Sequence, residues 1–381
     1  MTQTSLFNSF FMGGFECSSH VLSSGRRLDM LAATLHDRYV LHDYERLRAH
    51  DIHTARTGLR WHLIERRTGT YDWSSVLPMI QASRTTGMQL IWDLLHYGYP
   101  EDLDIFSVAF VTRFERLAHA FARLLRQETD AVPFISPVNE ISFFAWAGGD
   151  EAILNPYASG RSFELKLQLV RAAIAAIEAF WSVSPQTRIV HTDPVVHILP
   201  DPTLMHLAAE AEGYRTAQYQ GWDLLSGRLR PEIGGDPRYL DILGLNFYSN
   251  NEWYYKGDTI LRSDPNYKPF RCIAADVYER YGRPLFVAET GAEGDRRVDW
   301  FTYMCDEVYS AIEAGIPLHG LCLYPIVSFP GWEDERYCQN GLWDYADRTG
   351  ERPIHTPFSD ALREQQQRFA ALDHRRPFQD S

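Results

Sequence analysis

Apolar residues rich in β-branched and aromatic types gather in eight short runs, each followed by a loop and most by a longer stretch with helical periodicity. The runs are Leu6–Glu16, His53–Trp61, Met88–Tyr97, Val132–Glu140, Thr187–Pro194, Leu240–Tyr248, Pro284–Thr290 and Leu318–Ile326. Between them lie amphipathic stretches, among them Asp37–His50, Trp73–Thr86, Phe106–Glu128, Ser162–Ser182 and Arg297–Gly315. Within Phe106–Glu128, the residues Val111, Phe114, Leu117, Ala118, Phe121 and Leu124 recur at steps of three and four, which predicts one buried helix face. Eight strands alternating with helices predict an α/β fold, a single (β/α)8 TIM barrel. The spacing leaves no room for a second domain, so residues 1–381 are expected to form one catalytic barrel domain. A last helix near Thr356–Leu372 would close the ring, and the tail from about residue 373 is expected to fray.

Composition narrows the function classes. A chain of 381 residues that is 45% hydrophobic and 13% aromatic has material for a large core. Its net charge of −13, from 37 basic and 50 acidic side chains, repels phosphate backbones and anionic lipid, and no basic patch interrupts it. Neither a nucleic acid nor a membrane is therefore an expected partner; a small molecule is. Met1–Phe11 lacks the basic and apolar regions of a secretory signal, so the protein is expected to be cytoplasmic. Five scattered cysteines without a CxxC pair suit reduced thiols, and no metal or organic cofactor is expected.

Barrel chemistry sits at the C-terminal ends of the strands. Strand four ends Ser136-Pro137-Val138-Asn139-Glu140, and strand seven runs Pro284-Leu285-Phe286-Val287-Ala288 into Glu289-Thr290-Gly291. Two glutamates facing each other across a barrel mouth suit glycoside cleavage: one protonates the leaving oxygen while the other attacks or activates water at the anomeric carbon. The alternative is a pair of strand-end glutamates in unrelated salt bridges. His191-Thr192-Asp193, at the end of strand five, reads as a polar pocket wall. Glu16 at the end of strand one reads either as a sugar ligand or as an ion-pair partner.

Along most of its length the chain resembles glycoside hydrolase family 1, the β-glucosidase-like members of the retaining TIM-barrel glycosidase clan. The motifs that carry the resemblance are Phe10-Phe11-Met12-Gly13, Arg56 with Trp61, His96-Tyr97-Gly98-Tyr99-Pro100, Asn139-Glu140 and Gly244-Leu245-Asn246-Phe247-Tyr248. The resemblance implies that Glu140 is the acid/base and Glu289 the nucleophile of a retaining double displacement, with the carboxyls about 5 to 5.5 Å apart. It implies that Arg56 and Tyr248 hold Glu289 ionised, and that Asn139 bonds the sugar 2-hydroxyl. His20, His96, Tyr97 and Asn246 would contact the sugar, although a core imidazole bonded to backbone remains the alternative for each histidine. Tyr324 and Trp332 would form a stacking platform, with ordinary core packing as the alternative. Trp146, Trp253, Tyr254 and Tyr255 would shape a leaving-group site.

The departures are specific. Ile141 follows the acid/base where the family has Pro, Thr290 follows the nucleophile, and Tyr324 replaces a Trp. Gly331 stands where the family has a glutamate that grips the outer sugar hydroxyls, with Glu333 as a nearby substitute. The acidic Ser328–Asp334 segment disfavours a phosphorylated sugar. The expected activity is hydrolysis of a small β-linked glycoside. The alternatives are an endo-acting or transglycosylating enzyme of the same clan, or a catalytically silent sugar-binding protein.

Overall fold

The computed structural model describes residues 6–332 and 336–373. The tail expected to fray lies, but for its first residue, outside the described residues, as does Glu333. Each of the eight apolar runs contains a strand: β1 Phe11–Gly14, β2 Thr54–Gly58, β3 Gln89–Asp93, β4 Phe134–Ser136, β5 Arg188–Pro194, β6 Ile242–Asn246, β7 Leu285–Thr290 and β8 Leu318–Leu323. All neighbours are parallel, and β8 pairs back onto β1 through Phe11 and Leu321, which closes an eight-stranded barrel.

Alternation along the strands sorts the side chains. Met12, Ile91, Phe134, Val190, Ile242, Phe286 and Cys322 pack with Phe7 into one buried cluster, and their sequence neighbours Phe11, Trp92, Ile135, Leu243 and Leu321 belong to the other, larger core. The first cluster fills the barrel and the second glues it to the helices. Continuing the inward series toward the strand ends gives Arg56, Asp93, Ser136, Thr192 and Asn246, all fully or almost fully buried. A polar layer thus caps an apolar plug.

Strand β7 breaks the alternation. Against β6, Leu245 pairs with Val287 but the next residue, Asn246, pairs with Glu289, so Ala288 is an extra residue on β7. The pairing with β8 shows the same insertion between Val287 and Thr290. With Phe286 and Ala288 facing inward, a regular strand would turn Glu289 toward the helices. The bulge turns it into the barrel mouth.

The helices follow the predicted stretches closely: His36–Ala49, Leu77–Thr86, Val108–Glu128, Ser162–Val183, Arg296–Glu313 and Thr356–Asp373. In Val108–Glu128 the buried stripe runs through Phe110, Phe114, Leu117, Phe121 and Leu125. Val111 and Leu124, expected on that buried face, lie at its half-buried edge. Beyond β5 and β6, the short strands His197–Pro200 and Glu252–Tyr255 pair in parallel and extend one side of the barrel mouth. Among the described residues, no helix is long and apolar enough to cross a membrane.

Candidate active site

At the C-terminal ends of the strands opens a cavity of about 1130 Å³. Glu140 and Glu289 both line it, although they are only 8% and 5% exposed. Glu140 lies four residues beyond the end of β4 and has a left-handed backbone, with φ of 50°. Its N–H donates to the Thr192 carbonyl at 2.9 Å. The helix Ile141–Gly149 starts at once, and the Asp193 carboxylate accepts the Ser142 N–H at 3.0 Å, at the positive end of that helix. The end of β5 therefore fixes the backbone on both sides of Glu140. The expected polar wall at His191-Thr192-Asp193 is instead a support beneath the cavity, since none of the three lines it. His191 bonds the Tyr239 carbonyl at 2.8 Å and is buried.

The two glutamates have different partners. Glu289 accepts from Arg56 Nη1 at 2.6 Å and from the Tyr248 hydroxyl at 3.0 Å. Glu140 accepts from Asn246 Nδ2 at 2.8 Å and from the Tyr97 hydroxyl in a short hydrogen bond. One carboxylate meets a cation and a phenol, the other two neutral donors.

Arg56 is wholly buried and sits at the hub. Its guanidinium also pairs with Asp93, with Nη2 2.9 Å from Oδ2, and donates to Asn139 Oδ1 at 2.6 Å. Burial pulls its pKa down, but Asp93 and Glu289 outweigh that and hold it well above its ordinary value. A buried guanidinium is tolerable only with such partners. Asp93 was not singled out from the sequence, although it is the final residue of an apolar strand and so obeys the rule that found the glutamates.

Burial, then the charge of Glu289, push Glu140 up to about 8, and the bonds from Tyr97 and Asn246 only moderate the rise. Burial also raises Glu289, but Arg56 and His96 pull it back. Of the pair, Glu140 is the one that keeps its proton to higher pH, because no cation faces it. Burial lowers the His96 imidazole, yet Glu16, Asp93 and Glu289 outweigh it and leave His96 above its ordinary value.

Several residues expected at the sugar lie elsewhere. His96, Tyr97, Tyr248, Tyr324 and Trp332 line the cavity, whereas His20, Asn139 and Asn246 do not. His20 is buried with its ring 4.9 Å from that of Trp332, and burial drops its pKa to about 4. The amide of Asn139 is spent on protein: Oδ1 takes Arg56 and Thr192, while Nδ2 meets His96 Nε2 at 2.9 Å and the Tyr97 hydroxyl at 3.1 Å. Asn246 reaches Glu140 instead of open cavity. Trp332 is no isolated platform either, for it packs edge-on against Tyr97 at 5.6 Å and Phe143 at 6.3 Å. Of the expected leaving-group residues, Trp146, Trp253 and Tyr255 line the outer cavity, while Tyr254 turns to Asp264. Glu16 was left open by the sequence; it lines the cavity.

The ligating atoms of Cys17, Asp93 and His96 lie within 4.8 Å of one another. The donor set does not fit a metal. Asp93 already neutralises Arg56, so a cation there would face the guanidinium. Burial and the charges of Asp93 and Glu16 also hold the Cys17 thiol well above its ordinary pKa. The trio is a hydrogen-bonded support, with Cys17 Sγ 3.1 Å from His96 Nδ1.

No protein-family model and no curated protein matches the chain by sequence. Solved structures do match by fold. A β-glucosidase from Thermotoga maritima in complex with glucoimidazole superposes with a TM-score of 0.78 at 14% identity, over 95% of this chain and 99% of that one. A family 1 β-glucosidase from the same organism gives 0.74 at 15% identity, over 95% and 97%. The AHE enzyme from Alicyclobacillus herbarius gives 0.78 at 15%, over 96% and 98%. The fold is that of the family 1 β-glucosidases, as the sequence motifs implied.

Proposed function

We propose that this chain is a retaining β-glycosidase that hydrolyses a small β-linked glycoside by double displacement, without a metal or organic cofactor. The observation that carries the reading is the unequal holding of two buried carboxyls that line one cavity. Glu289, bonded to Arg56 and Tyr248, is the nucleophile. Glu140, bonded only to neutral donors, is the acid. In the first step the Glu140 proton passes to the glycosidic oxygen as Glu289 attacks the anomeric carbon and the aglycone leaves. Forming the ester removes the negative charge of Glu289, the second cause of Glu140's raised pKa. Glu140 then takes a proton from water, whose oxygen displaces Glu289 and releases the sugar.

Asn139 acts here through Arg56, His96 and Tyr97 rather than by touching the sugar. The aromatic outer cavity, with Phe143, Trp146, Trp253 and Tyr255, favours an aglycone with an apolar face. A fold neighbour in complex with glucoimidazole supports a small sugar as the ligand class.

The test is nitrophenol release from a panel of nitrophenyl α- and β-glycosides by the wild type and Glu289→Gln in parallel. One β-glycoside should be cleaved, with the β-anomer appearing first by NMR, and the variant should be inactive. Release of the α-anomer first would overturn the retaining assignment. Binding of sugars without any turnover would replace hydrolysis by a binding role.

A further inference from the structure

Three buried carboxylates line the cavity, and the mechanism above uses two of them. The third, Glu16, stands two residues beyond β1 and is 4% exposed. Its Oε1 accepts the Ser18 N–H at 2.9 Å and lies 3.5 Å from His96 Nε2. No hydrogen bond reaches its Oε2 from any described residue. The Arg56 guanidinium does not serve it, being committed to Asp93, Glu289 and Asn139. That oxygen is not sealed from solvent, so it faces the cavity as an acceptor free to take a donor from whatever enters.

A second unsatisfied group lines the same cavity. The Tyr324 side chain is 2% exposed, and its hydroxyl has no hydrogen-bond partner. Burial and then the charge of Glu16 hold this phenol well above its ordinary pKa, so it remains a donor. Gly14 makes its position possible: a Cβ there would lie 2.1 Å from the Tyr324 ring. An acceptor and a donor both waiting for partners define what can satisfy them. An ammonium would serve Glu16 and leave the phenol unpaired. Two adjacent alcohols serve both, since a hydroxyl both donates and accepts.

We propose that Glu16 is a specificity-determining residue of the glycosidase site, accepting the proton of one sugar hydroxyl while Tyr324 donates to a neighbouring oxygen, so that the site selects glycosides with two adjacent free hydroxyls. The inference rests on the glycosidase reading for its substrate class. It also gives this chain a hydroxyl-gripping carboxylate just beyond the first strand, whereas the strand-eight loop carries Gly331.

The experiment crosses Glu16→Gln and Tyr324→Phe with the cleaved glycoside and its monodeoxy analogues. Gln keeps an oxygen for the Ser18 N–H, so the fold is expected to hold. Glu16→Gln should lower kcat/KM on the parent by roughly 10- to 100-fold, the factor of a charge-assisted hydrogen bond. On one monodeoxy analogue that loss should shrink to about twofold, the usual limit of additivity. Tyr324→Phe should show the same for the adjacent position. A loss of equal size on every analogue, or no loss, overturns the proposal.

Calorimetric binding of the free sugar and its deoxy forms separates this from the hydrolytic reading. Wild-type binding without turnover that Glu16→Gln weakens, with the loss confined to one hydroxyl, discards hydrolysis and keeps Glu16. Turnover insensitive to Glu16→Gln does the reverse. Neither binding nor turnover discards both.

Discussion

Strands β4 and β7 deliver the same side chain to one cavity, and the barrel treats the two deliveries differently. Glu140 hangs from a left-handed residue between strand and helix, anchored by the Thr192 carbonyl and the Asp193 cap. Glu289 sits within β7 itself and reaches the cavity through a one-residue bulge in that strand. Around Glu289 lies charge: Arg56, with His96 behind it. Around Glu140 lie neutral donors, Tyr97 and Asn246. The difference teaches that burial raises any carboxyl, and that the pattern of cations decides which of two buried carboxyls holds the proton.

The contrast is broken most completely by removing each carboxyl in turn. Glu289→Ala should lower kcat by roughly 10⁴-fold or more, as loss of a catalytic-unit residue does. Azide should restore turnover as the α-glycosyl azide. Glu140→Ala should cost roughly 10²- to 10⁴-fold on glycosides with poor leaving groups and spare the glycosylation step for activated aryl glycosides. If both variants behaved alike toward azide, with products of the same anomeric form, the assignment of roles would be reversed or void.

Arg56 tests the charged half of the comparison. Replacing it by Met leaves Asp93 and Glu289 buried without their cation, which should lower unfolding free energy by about 3–5 kcal/mol in urea titrations. A loss near zero would mean that another group balances those carboxylates.

The smallest effect sharpens the neutral half. With Glu140 as the proposed acid, turnover requires it protonated, so kcat/KM should fall as pH rises through about 8. Tyr97 stabilises the ionised form, so Tyr97→Phe should raise the Glu140 pKa and move the alkaline limb to higher pH, with a rate change below about tenfold. An alkaline limb that stays put, or moves down, would show that Tyr97 does not govern this proton.

Much of this was legible in the chain. The eight strands and the glutamates at the ends of two of them follow from local apolar runs ending in a polar residue, and Arg56 from the resemblance to glycoside hydrolase family 1. Asp93 was equally legible by that rule. The expected sugar contacts of His20, Asn139 and Asn246 fared differently, because a motif position says that a residue is near the mouth and not whether it faces the cavity. Asn139 shows why: its amide is taken by Arg56 from β2, Thr192 from β5 and His96 beyond β3. Asp193 resembled a wall residue until a helix start was seen resting on it.

The sequence by itself determined the number, order and polarity of the strands, because alternation and helical periodicity are local, and strand ends in a parallel barrel all point one way. It also determined that two carboxyls arrive at the mouth. Only the tertiary structure decided what each carboxyl meets, which residue faces the cavity, and that β7 bulges at Ala288 to bring Glu289 inward. Those are matters of ångströms between distant parts of the chain. Arg56 and Glu289 touch at 2.6 Å across 233 positions, a distance set by barrel closure and register rather than by any pattern of neighbouring residues.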